Sequence, residues 1–101
     1  MKIEQLSHLC GVLESGSFTI AAQKFFINEA DMKESIISLE IEFGIKLIEC
    51  DDESKVVHTF ECLQIISHIK EIVRNCREIE EEIKSLHKKP SVNTMYDVSM
   101  F

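Results

Sequence analysis

Proline occurs once and glycine three times in the 101 residues, tryptophan is missing and tyrosine appears once. So little turn-forming material argues against an all-β chain with its many tight turns, and favours helices. No apolar run approaches the roughly 18 residues that span a bilayer, and the opening MKIEQL lacks the apolar core of a signal peptide. A cytoplasmic protein is therefore expected. Cys10, Cys50, Cys62 and Cys76 form no CxxC pair and no disulfide framework, which fits a reducing compartment. His58 and Cys62 lie four residues apart, but two ligands do not make a zinc site, so neither a metal nor a cofactor is expected. A Ser-His-Asp order, a glycine-rich phosphate loop and a convincing carboxylate pair are all missing, so the chain is not expected to be an enzyme.

Positive charge is also scarce where it would matter. The net charge is −7, and residues 28–53 carry nine acids (Glu29, Asp31, Glu34, Glu40, Glu42, Glu49, Asp51, Asp52, Glu53) against Lys33 and Lys46. That segment alone accounts for the whole excess, since the remaining nine acids are matched by nine Lys and Arg. A protein that holds nucleic acid through its phosphates carries a basic patch, not an acidic one.

What is present is helical periodicity. Ile3, Leu6, Leu9, Cys10 and Leu13 are spaced for one amphipathic helix, broken by SGS at 15–17. Ser17 is placed to cap a short second helix running through Phe26. Asn28 is placed to cap a third, with Glu29 and Asp31 in the first turn, where the helix dipole favours acids. Met32, Ile36, Leu39 and Phe43 form its buried stripe, and Gly44 ends it. IKLIEC and KVVHT, separated by the polar DDES, suggest a two-stranded hairpin. From Phe60 to Lys88 the chain contains neither glycine nor proline. Its Ile65, Ile69, Ile72, Cys76, Ile79, Ile83 and Leu86 repeat at alternating spacings of four and three. This heptad seam is longer than a small helical core can cover, so it predicts a homodimer through residues 60–88. Pro90 stops the helix, leaving 90–101 as a tail. The expected fold is mainly α: a winged helix-turn-helix of three helices and a two-stranded wing in residues 1–59, then a long dimerisation helix over 60–89.

MKIEQL, ESGSFTIAAQKFFI, ISLEIEFGIKLIE and the later HT, taken in that order, resemble the amino-terminal domain of LysR-type transcriptional regulators over about residues 1–88. The resemblance implies transcription regulation through DNA binding, with Thr19, Asn28, Lys33, Ser35 and Ser38 as the DNA-contacting positions if that activity is retained. It also implies a large effector-sensing domain, which the sequence does not contain, so a stand-alone regulator is expected. The family's third helix runs approximately V-S-Q-P-A-L-S-R-Q-I-R-R-L-E. Ile27, Met32, Ile36, Leu39 and Glu40 keep its scaffold positions, whereas Glu29, Asp31, Glu34, Ile37 and Ser38 replace residues of its reading face. In the wing, the turn that often bears arginine is Asp51, Asp52, Glu53, Ser54.

Two functions follow. One is regulation with weak or partner-assisted DNA contact. The other is an acidic protein-interaction module or decoy that binds another protein, possibly a DNA-binding or basic one, through Glu34, Ile37, Ile41, Asp51, Asp52 and Glu53. Ile37 and Ile41 fall one turn apart opposite the buried stripe, where they are either exposed or packed against the wing or a neighbouring helix.

Overall fold

The computed structural model describes residues 1–88, so the expected tail at 90–101 lies outside the described residues. Its order is α1 (Ile3–Ser15), α2 (Phe18–Phe25), α3 (Glu29–Phe43), β1 (Ile48–Cys50), β2 (Val56–His58) and α4 (Phe60–Lys88). This is a winged helix-turn-helix with a long carboxy-terminal helix.

Local chemistry sets the helix ends. Gly16 stops α1 in the left-handed conformation, φ 69°, and its N–H donates to the Val12 carbonyl. The Ser17 hydroxyl accepts from the Ile20 N–H to start α2. The second helix ends one residue earlier than expected. Phe26 takes φ 58° as its left-handed cap and donates its N–H to the Ala22 and Gln23 carbonyls. A left-handed phenylalanine is strained by its Cβ, and this ring lies 95% exposed. Asn28 Oδ1 accepts from the Asp31 N–H at 2.7 Å to open α3, and Gly44 closes it at φ 72°.

Leu6, Leu9 and Val12 of α1, Ala21 and Ala22 of α2, and Met32, Ile36 and Leu39 of α3 meet in one core. Phe43 is only partly buried at its edge, and Ile3, expected on the apolar face, is exposed at the first turn. The strands are antiparallel, with Glu49 opposite Val57. Two anchors hold this wing to the helices. Glu40 Oε2 accepts from the Leu47 and Ile48 N–H groups at 2.7 and 3.3 Å, and the Val56 N–H donates to the Gly16 carbonyl at 3.0 Å. Thr59 then joins wing to α4: its hydroxyl donates to the Lys46 carbonyl at 2.7 Å and accepts from the Cys62 N–H at 3.0 Å.

The heptad seam is divided by this packing. Cys62, Ile66, Ile69 and Val73 face the core, so Ile69 (5% exposed) belongs to the domain's own interior and is unavailable to a second copy. Ile65 is half-buried against the same core. Ile72, Ile79, Ile83 and Leu86 are left exposed and Cys76 partly so. The division at residue 59 therefore follows the secondary structure and not the packing, because the core continues into α4 as far as Val73. No helix among the described residues is long and apolar enough to cross a membrane.

Candidate nucleic-acid interface

In a helix-turn-helix domain the second helix of the motif, here α3, presents its outer face to the DNA groove. Of the five positions expected to contact DNA, four are already engaged within the domain. Thr19 Oγ1 donates to Glu29 Oε1 at 2.6 Å, and Lys33 Nζ pairs with Glu29 Oε2 at 3.2 Å while standing 5.5 Å from the centre of the Phe18 ring. The Thr19 hydrogen bond first, and then that of Lys33, hold the Glu29 carboxyl below its ordinary range. Glu29 thus stays ionised and occupies the hydroxyl of α2 and the ammonium of α3 together. The Asn28 side chain is the α3 cap. Ser35 turns inward, its Oγ sharing a 2.8 Å hydrogen bond with His8 Nδ1. Ser38 is exposed and makes no side-chain hydrogen bond among the described residues.

His8 gave no signal in the sequence, yet it is buried where α1, α2 and α3 meet. Its ring stands edge-on to Phe25, centroids 4.9 Å apart at 88°. Burial pushes its pKa down, against a smaller upward pull from Glu4. A neutral imidazole therefore spaces α1 from α3.

Two shallow clefts flank the outer side of α3. One, lined by Lys2, Glu4, Gln5, His8, Ile27, Asp31, Glu34, Ser35 and Ser38, brings three carboxylates against a single lysine. The other is bounded by Ile37, Glu40, Ile41, Gly44, Ile45 and Lys46. Ile37 and Ile41 are 52% and 76% exposed, so neither is covered by the wing or a neighbouring helix. Near the end of the helix, Glu42 pairs with the Met1 ammonium at 2.8 Å.

The wing acids are not brought into either cleft. Asp51 Oδ1 accepts from the Glu53 and Lys55 N–H groups, shaping a turn in which Ser54 has φ 63°. After this turn, β2 is tied to the α1–α2 turn, its Val56 N–H donating to the Gly16 carbonyl. Asp51, Asp52 and Glu53 form the acidic tip of the wing, and none of the three lines the clefts beside α3.

The thiols stay in the background. Burial, before any charge effect, pushes the Cys10 thiol up and the Cys62 thiol to about 11, as suits protonated core residues. His58 ends a strand while Cys62 lies in the core, and the described residues contain no group of three potential metal ligands.

Comparison with known proteins places this geometry. The chain is 31% identical over 81 residues to an uncharacterised HTH-type transcriptional regulator, YvbU, of Bacillus subtilis, matching 80% of this chain and 28% of that protein. It is 33% identical over 85 residues to a probable nitrogen assimilation transcriptional activator of Synechococcus elongatus, matching 80% of this chain and 27% of that one. The chain thus spans about a quarter of the length of these curated relatives. No protein-family model matches it. Among solved structures, the BenM DNA-binding domain in complex with benA site 1 DNA is 28% identical, with a TM-score of 0.73 over 86% of this chain and 97% of that one. The DNA-binding domain of CbnR, a LysR family transcriptional regulator, in its DNA complex shares the fold at 17% identity, with a TM-score of 0.71 over 86% and 99%. Sequence and fold together identify the chain as carrying the amino-terminal winged helix-turn-helix domain of LysR-type transcriptional regulators.

Proposed function

We propose that this domain serves transcription regulation as a dimer joined through α4, and that its own contact with DNA is weak. The observation that carries the weak contact is the Glu29 clasp: one carboxylate engages both Thr19 and Lys33. A phosphate contact requires a cation that can exchange its counterions for the backbone, and base reading requires donors that are not already satisfied. Here the outer side of α3 offers carboxylates and isoleucines instead. Residues 1–59 supply that surface. The helix from residue 60 closes the core with its first turns and offers the exposed stripe Ile72, Ile79, Ile83 and Leu86 to a second copy. Partner-assisted contact is compatible with the same arrangement, since a partner bringing its own cations offsets the missing charge.

Titration of labelled duplex from the native genome tests this reading. At about 150 mM salt the expected dissociation constant is micromolar or weaker, the nonspecific range. Tight sequence-specific binding, of the order of 10⁻⁸ M or better, overturns it. Replacing Glu29→Gln, Asp31→Ala and Glu34→Arg together frees Lys33 and adds a cation. It should strengthen duplex binding and steepen its salt dependence by about 0.9 per new phosphate contact.

A further inference from the structure

We propose that the cleft between α1 and α4 binds an amphiphilic anion, its carboxylate held by cations of α4 and its apolar tail lying toward Leu63. The proposal goes beyond the weak-contact reading and does not depend on it. Leu63, Ile66, Lys70, Arg74 and Arg77 follow one another at helical spacing along a single edge of α4. The chemistry of that edge changes at Lys70. Before it, Leu63 and Ile66 line, with Leu13 of α1, a mainly apolar cleft of about 200 Å³. After it, Lys70, Arg74 and Arg77 border a second cleft of about 230 Å³ beside Cys10 and Val73, both buried. Lys70 and Glu14 belong to both clefts, so the two are continuous. Ile66 and Arg74 lie about 12 Å apart along the helix, and over that length the lining turns from apolar to cationic.

Charge selects the head of the ligand. Among the described residues Lys70, Arg77 and Glu14 form no ion pair, and Arg74 has only Glu71, 3.6 Å away on the exposed surface of α4. Lys70, Arg74 and Arg77 are like charges four and three residues apart, an arrangement that costs helix stability unless an anion bridges it. Glu14 is the one acid of this cleft against three cations, so a carboxylate is attracted. The adjoining cleft at Gly11 and Phe25 shares Arg77 and adds Lys24. The tail is selected by Leu63, which is 50% exposed and which a hydrocarbon would cover. A nucleic acid fits less well, because α4 carries six acids against five Lys and Arg and residues 28–53 add a net −7. The positive field is thus confined to the cleft. At about 100° per residue, Lys70, Arg74 and Arg77 stand nearly opposite Ile72, Ile79 and Ile83 on α4, so a dimer joined through those isoleucines leaves the cleft open.

The test titrates the isotopically labelled full chain with hexanoate and follows the amide shifts by NMR. Saturable shifts should appear in residues 10–14 and 63–77, with a millimolar or tighter dissociation constant that weakens as salt rises. Acetate has the charge without the tail, and hexanol the tail without the charge; each should bind at least about tenfold more weakly. Arg74→Gln with Arg77→Gln should weaken hexanoate by about tenfold or more, and Leu63→Ser by about fivefold. Glu14→Gln should tighten it by about two- to fivefold, since a repelling charge is removed. All four side chains are exposed, so these variants leave the core untouched. Hexanoate that binds no better than acetate or hexanol overturns the proposal, as does binding insensitive to the arginine pair. Shifts confined to the groove at Ile37 and Ile41 overturn it too, since they mark apolar partitioning alone. Loss of duplex binding in the arginine pair with hexanoate binding unchanged assigns the cations to nucleic-acid phosphates, and likewise overturns it.

Discussion

Replacing Ile79 and Ile83 with aspartate should convert a dimer into monomers without unfolding the domain. Ile72, Ile79, Ile83 and Leu86 are between 40% and 60% exposed in the single chain. Full burial of such a side chain contributes about 1.5–3 kcal/mol, so covering the remaining half gives about 1 kcal/mol each. Four positions from two copies supply about 8 kcal/mol, the same order as the roughly 4–15 kcal/mol that association costs. The seam is therefore close to break-even and sensitive to small losses. Removing two positions from each copy forfeits about 4 kcal/mol, about three decades in Kd, before the desolvation of the new carboxylates is counted. Ile79 and Ile83 lie past Val73, the last core residue of α4, and so test the interface alone. Ile72 is a poorer choice, because it adjoins Val73 and a charge there also strains the core. Sedimentation equilibrium over a concentration series should show the wild-type chain above monomer mass and the double variant at monomer mass, with unchanged far-ultraviolet dichroism. A dimer that survives the two aspartates with its helix intact refutes the argument and places the contact elsewhere.

Other expectations concern stability. The folded-state pKa of His8 lies below its ordinary value of 6.5, so the native state binds fewer protons than the unfolded chain. Its contribution is complete above about pH 6.5 and is lost as pH falls through the folded pKa. Urea midpoints should therefore drop between about pH 7 and pH 5, and His8→Phe should flatten that slope; an equal slope in the variant assigns it to other groups. Phe26→Gly relieves a left-handed backbone at a side chain that is 95% exposed. It should stabilise the domain by up to about 1 kcal/mol, seen as a raised thermal midpoint; a lowered midpoint means that the ring contributes packing.

The sequence by itself determined the elements and most of their ends. Ser17, Asn28, Gly16 and Gly44 act through hydrogen bonds and dihedrals that are local to the chain, so their effect is visible in a few consecutive residues. The same holds for the third helix, where Met32, Ile36 and Leu39 are fully buried at the spacing that predicts it. It also holds for the family, whose scaffold residues keep their order along the chain. The tertiary structure alone decided which helical faces meet. On α4 two apolar stripes overlap at Ile69, and periodicity cannot tell the one that closes the core from the one left to a partner; only the position of α1 against Cys62, Ile66 and Val73 separates them. Glu29 gave the sequence a helix-dipole role, yet its second role, clasping Thr19 and Lys33, depends on α2 crossing α3. The wing acids looked continuous with Ile37 and Ile41 in composition, yet they line neither cleft beside α3, and the wing is fastened to the α1–α2 turn by the Val56 to Gly16 hydrogen bond. Burial and pairing are relations between residues far apart in the chain, so a pattern can mark a face as apolar or charged while the fold chooses what it touches.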